Sequence, residues 1–168
     1  MIVPVVELLQ GYHDRQAFHC GNRAPDEFLQ GQARQNADRN LGVTHVVVRS
    51  AGDSRVLGYY TLVTRTVERA IVPSKGLPQG PLGVVLLGRL AVDQSCQTQG
   101  IGRLMLMRAL RQTDEAARVM GIYALVLDAV DDAAREWYLG LGWGFQALVD
   151  DSHHLFLPVA VIRKLGLS

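Results

Sequence analysis

The chain has 168 residues, is 48% hydrophobic, and sets 17 Lys+Arg against 16 Asp+Glu for a net charge of +1. These figures suit a single domain, 1–168, with one sizeable core, and they exclude a disordered chain. No run of about 18 apolar residues could span a membrane, and MIVPVVELLQ lacks the basic flank and cleavage site of a signal peptide.

Residues 2–9 read as a β-strand. Pro25, Asp26 and Glu27 followed by Phe28, Leu29, Ala33 and Ala37 predict a helix over 25–39. Two β-branched runs, 43–49 and 55–66, flank Ala51-Gly52-Asp53-Ser54, a hairpin signal. The Pro/Gly-rich stretch 73–82 reads as a loop. Residues 84–92 form an apolar strand interrupted by Gly88 and Arg89, where an interior glycine marks a bulge or a close backbone approach. From 99 to 120 the chain has helical length and a dense apolar face, stopped by Gly121. A buried strand at 122–129, a short helix at 131–139, and strands at 145–149 and 154–159 follow. Strand–helix–strand after residue 84 implies a right-handed βαβ unit. The class is α/β, with a mixed sheet whose N-terminal part is antiparallel.

Charge is unevenly spread along the chain. Residues 51–111 carry eight cations and three anions, whereas 112–168 carry four cations and eight anions. Fifteen of the 17 cations are Arg, the side chain suited to bidentate phosphate contacts. The basic middle segment is where a polyanionic ligand is sought. Cys20 and Cys96 show neither metal-ligand nor disulfide-framework spacing, which favours a reducing cytoplasm and no metal.

The most informative stretch runs Leu90-Ala91-Val92-Asp93, then Gln94 to Gln97, Thr98, Gln99, Gly100, Ile101, Gly102 and Arg103. A buried strand ends, a polar turn follows, and a helix opens on two glycines. Such a helix start offers free N–H groups and a positive dipole end to a bulky anion. The dinucleotide-fold and NTPase glycine spacings are both absent. A tight helix–sheet packing turn would use the same residues.

In this context, residues 87–106, LGRLAVDQSCQTQGIGRLML, resemble the acetyl-coenzyme A motif of the GNAT N-acetyltransferases. The resemblance implies that Leu90, Ala91 and Val92 pair with the pantetheine arm through their backbone. It further implies that Gln97, Gln99, Gly100, Gly102 and Arg103 hold the pyrophosphate. Several more segments occur in the same order: His19-Cys20-Gly21 with Asp26–Leu29, Gly58–Leu62, Asp128-Ala129, Trp137-Tyr138, Gly142-Trp143 and Leu155–Pro158. Together they resemble the GNAT toxins of bacterial toxin–antitoxin pairs, over residues 13–160. That branch acetylates the amino group of aminoacyl-tRNA and blocks translation. The implied partners are a small ribbon-helix-helix-type antitoxin and a second copy in a homodimer.

Such chemistry needs a neutral amine and a stabilised thiolate leaving group. An aminoacyl amine is largely neutral near pH 8, so a strong base is dispensable. The family places a tyrosine beside the sulfur as general acid, and Tyr138 matches; as an alternative it is a core aromatic. Arg89 either contacts tRNA phosphate as a substrate-binding residue or pairs with a neighbour. Asp93 reads as a cap, His153 and His154 as surface residues, and Cys96 as a thiol with no nucleophilic role. Two other readings stay open: a GNAT acting on a small amine or a protein, and an inactive GNAT that serves as an antitoxin-binding module.

Overall fold

The computed structural model describes residues 3–167; Ile2, within the expected first strand, lies outside the described residues. Seven strands are hydrogen-bonded in the order β1-β2-β3-β4-β5-β7-β6: β1 (Val5–Leu8), β2 (Val43–Val48), β3 (Gly58–Glu68), β4 (Pro81–Val92), β5 (Ala124–Asp128), β6 (Gln146–Ala147) and β7 (His154–Pro158). The fold is the expected mixed α/β class. Two compact units divide it, Met1–Val63 with Gly88–Ala109, and Thr64–Leu87 with Leu110–Ser168.

In the first unit β2 pairs antiparallel with both β1 and β3. The expected 25–39 helix is three consecutive pieces: α1 (Arg23–Glu27), a π-helical turn (Phe28–Gln32) and α2 (Ala33–Asp38). Asn40, at φ 58°, ends it, with the Leu41 amide donating back to the Asn36 carbonyl at 2.8 Å. Asparagine tolerates this left-handed cap better than most side chains do. Phe18, Phe28, Leu29, Val46, Val48, Val56 and Tyr59 belong to one buried core cluster.

In the second unit β4 runs parallel to β5, with pairs from Val84–Ala124 to Leu87–Leu127. Antiparallel β7 pairs with β5 and also with β6. The expected strand 145–149 shrinks to Gln146–Ala147. Phe145 packs into an aromatic cluster, and the Val149 amide leaves to donate to the Ile71 carbonyl at 2.9 Å. A short helix not anticipated from sequence, α5 (Val159–Lys164), follows Pro158. Its apolar residues continue the strand's own hydrophobic run, so the two are alike in pattern. The remaining helices are α3 (Ile101–Ala117) and α4 (Asp132–Gly140), the latter capped by the Asp131 side chain on the Ala134 amide.

Candidate active site

The turn before α3 is braced by polar side chains of the first unit. The Asp93 carboxylate accepts from the His19 amide at 2.9 Å, the Ser95 amide at 3.0 Å and the Ser95 hydroxyl at 2.5 Å. Arg55 adds a hydrogen bond to Ser95 Oγ at 2.7 Å and lies 3.8 Å from the carboxylate. Burial opposes ionisation of Asp93, but the His19 and Ser95 donors and Arg55 outweigh it and hold its carboxyl below the ordinary range. Asp93 is therefore a cap, as expected.

Gln97 has a role that spacing alone could not show. Its side-chain amide donates to the Cys20 carbonyl at 2.8 Å and to the Val92 carbonyl at 3.0 Å. The side chain is thus committed to the protein, and only its backbone remains for a phosphate. The Val92 carbonyl, one of the groups expected to meet a pantetheine arm, is partly engaged by the same amide.

The start of α3 is shaped by its backbone. Thr98 and Gly100 both take left-handed φ values, 69° and 82°, around the exposed Gln99. Alternation of this kind makes a backbone concavity that suits anions. These reversals also explain why α3 begins two residues later than expected. The Gly100 carbonyl receives the first helical hydrogen bond, from the Leu104 amide at 3.0 Å. Glycine at that position brings no side chain to satisfy the first amides, and no acid stands in the first turn. Gly102 and the exposed Arg103 occupy that turn.

Leu90, Ala91 and Val92 lie past the last parallel pair of β4, which ends at Leu87. Gly58 permits the close approach there: a Cβ on it would stand 3.1 Å from the Ala91 carbonyl oxygen and 3.1 Å from Ile101 Cγ2. Gly88 likewise answers its sequence reading, since a Cβ there would meet Thr61 Oγ1 at 2.8 Å. Arg89 is exposed and packs over the Phe28 ring, its Cζ 3.8 Å from the centroid.

Tyr138 sits in the second unit, in the last turns of α4, and only 8% of its surface is exposed. Trp137 and Phe145 pack edge-on against it, with centroids 4.9 Å and 5.6 Å away. Among the described residues its hydroxyl has no hydrogen-bond partner. Burial drives its pKa far upward, so the phenol stays protonated throughout the physiological range. It can donate a proton; it cannot act as a resting base.

Other expectations resolve differently. His154 is not a surface residue: its side chain is 12% exposed, with Nδ1 3.3 Å from Asp150 and Nε2 3.9 Å from Asp128. Its place on β7 opposite Asp128 buries it. His153 pairs with Asp132 at 2.7 Å. Burial pushes the Cys96 thiol up and the Cys20 thiol up to about 11, so neither is a ready thiolate. Among the described residues no cluster of three or more His, Cys, Asp or Glu could hold a metal ion. The two units are closer to charge balance than the sequence segments are. The first unit has nine cations and seven anions, and the second has eight and nine.

The Acetyltransferase (GNAT) family matches residues 7–143. The tRNA-acetylating toxin of Mycobacterium tuberculosis (strain ATCC 25618 / H37Rv) is 32% identical over 155 residues, 90% of each chain. The solved structure of AtaT complexed with acetyl-methionyl-tRNAfMet is similar with a TM-score of 0.89 and 32% identity, over 97% of this chain and 99% of that one. A tyrosine-to-phenylalanine variant of the AtaT toxin, bound to the C-terminus of the antitoxin AtaR and acetyl-CoA, gives 0.83 and 30%, over 96% and 97%.

Proposed function

The chain belongs to the GNAT acetyltransferase family, and on that footing we propose that it transfers acetyl from acetyl-CoA to the amino group of aminoacyl-tRNA, a translation-blocking toxin. The observation that carries the cofactor assignment is the α3 start, where left-handed Thr98 and Gly100 lead into a helix whose first turn holds no acid against its positive dipole end. Backbone amides around Gln97, Gln99, Gly100 and Gly102, with Arg103, hold the pyrophosphate. The backbone of Leu90, Ala91 and Val92 holds the pantetheine arm.

Acetyl-CoA, when bound, supplies the activated acetyl group and a thiolate leaving group. Tyr138 keeps its proton through neutral pH and donates it from Oη to the departing sulfur. No strong side-chain base is required, because an α-amino group with an ordinary pKa of about 8 is already about one-tenth neutral at pH 7, and the proton its nitrogen sheds on forming the amide restores the Tyr138 phenol. Arg89 binds acceptor phosphate. The whole chain acts as one acetyltransferase domain, in the cytoplasm, as a homodimer restrained by a small ribbon-helix-helix-type antitoxin. A solved AtaT complex that includes the AtaR antitoxin supports the antitoxin partner, and no helix among the described residues is long and apolar enough to cross a membrane.

The test is transfer of labelled acetyl from acetyl-CoA to charged and to deacylated tRNA. Label should appear on charged tRNA alone and be released, as acetyl-aminoacid, by mild alkaline hydrolysis of the ester. Labelling confined to polyamines or proteins would overturn the acceptor assignment.

A further inference from the structure

Arg89 is exposed, and among the described residues it makes no ion pair and no hydrogen bond. Nevertheless it is held. Its guanidinium carbon lies 3.8 Å from the centre of the Phe28 ring, the geometry of a cation over an aromatic face. Phe28 is itself buried, opens the π-helical turn, and stacks on Tyr59 at 6.2 Å and 17°. Tyr59 is fully buried, wedged edge-on by Phe18 at 5.4 Å, and anchored by its hydroxyl on the Pro25 carbonyl at 2.6 Å. A permanently charged group on an exposed residue thus lies over a buried, packed aromatic column. An ordinary surface arginine loses much side-chain entropy on docking, and this one has lost part of it beforehand.

We propose that Phe28, backed by Tyr59, is a positioning residue. It pre-orients Arg89 as a fork for one backbone phosphate of the acceptor's single-stranded end. This rests on the reading of the chain as an aminoacyl-tRNA acetyltransferase. Order along the chain selects the acceptor's phosphate over the cofactor's. Residues 97–103 hold the pyrophosphate, and residues 90–92 the arm that leads to the thioester. Arg89 comes one residue beyond that end, on the acceptor side. The π-helical turn has a purpose in this arrangement, since a widened turn at Phe28 sets the direction of its ring.

The test is steady-state kinetics with aminoacyl-tRNA and acetyl-CoA varied separately. Arg89→Ala should raise the KM for aminoacyl-tRNA about tenfold and lower the salt slope of log KM by about 0.7, one phosphate on a single strand. Phe28→Leu should raise the same KM by about three- to tenfold, while kcat and the KM for acetyl-CoA stay within about twofold. Phe28→Tyr should restore wild-type behaviour. In an Arg89→Ala background, Phe28→Leu should add nothing; an equal effect in both backgrounds overturns the proposal. If Phe28→Leu does not fold, Arg89→Lys decides, because it keeps the charge and loses the planar stack: its KM must rise, and an unchanged KM overturns the proposal. A shift in the KM for acetyl-CoA instead would give Arg89 to the cofactor and also overturn it. Wild-type protein that leaves charged tRNA unacetylated removes the functional reading and this inference together, whereas normal turnover with unmoved variants removes this inference alone.

Discussion

Around the turn that opens α3, polar side chains are consumed in holding backbone. Asp93 gathers three donors, Gln97 ties two carbonyls, and Arg55 closes over Ser95. Around Tyr138 the reverse holds: ring edges of Trp137 and Phe145 fix the phenol by shape, and its hydroxyl spends nothing on the protein. The difference teaches how each half serves its task. A surface that must present N–H groups in fixed directions needs charged and amide struts, whose loss is felt as geometry. A phenol held between apolar walls keeps its proton, because burial disfavours the phenolate.

The contrast can be broken or sharpened at three positions. Tyr138→Phe should have the largest effect, lowering kcat by about 10²- to 10⁴-fold. Affinity for acetyl-CoA, measured by calorimetry, should stay within about twofold. A retained rate would move the proton donor elsewhere and leave Tyr138 a core aromatic. Gly100→Val comes next. A Cβ there would meet no atom within 4 Å, so the cost is conformational: a β-branched residue resists φ 82°. Strain of about 1–3 kcal/mol should shift the helix start and weaken acetyl-CoA binding by about tenfold or more. Unaltered affinity would show that the turn only packs. Asp93→Asn is the mildest. The native carboxyl titrates below the ordinary value, so its stabilisation is present above about pH 4 and disappears as pH falls through the depressed value. The variant should lose about 1–3 kcal/mol at neutral pH, and the gap to wild type should close in acid. Denaturant melts at pH 7 and pH 3 would check this; a gap of equal size at both would assign the loss to packing.

The strand–turn–helix order around α3 was legible because its signal is local: strand, polar turn, two glycines and helix lie within a dozen or so residues. Its bracing was not, since His19 and Cys20, the partners of Asp93 and Gln97, lie more than 70 positions away in the chain. Asp93 could be read as a cap because it ends the strand, and the Ser95 amide it accepts from lies only two residues on. The left-handed Thr98 runs against its residue type, and nothing in a β-branched side chain announces it. His154 was misread for a related reason. Its place on a late loop or strand edge suggests a surface, but register across β5 and β7 decides what a strand residue faces. The basic segment 51–111 is shared between the two units, because 64–87 and 88–109 go to different ones.

The strand order also fixes a timetable. β5 receives its second neighbour from residues 154–158, and β6, though translated earlier, pairs only with that same late strand. While the chain is growing on the ribosome, the apolar edge of β5 therefore waits unpaired, as non-local pairings do. The unit that contains Tyr138 is completed only when that stretch has emerged.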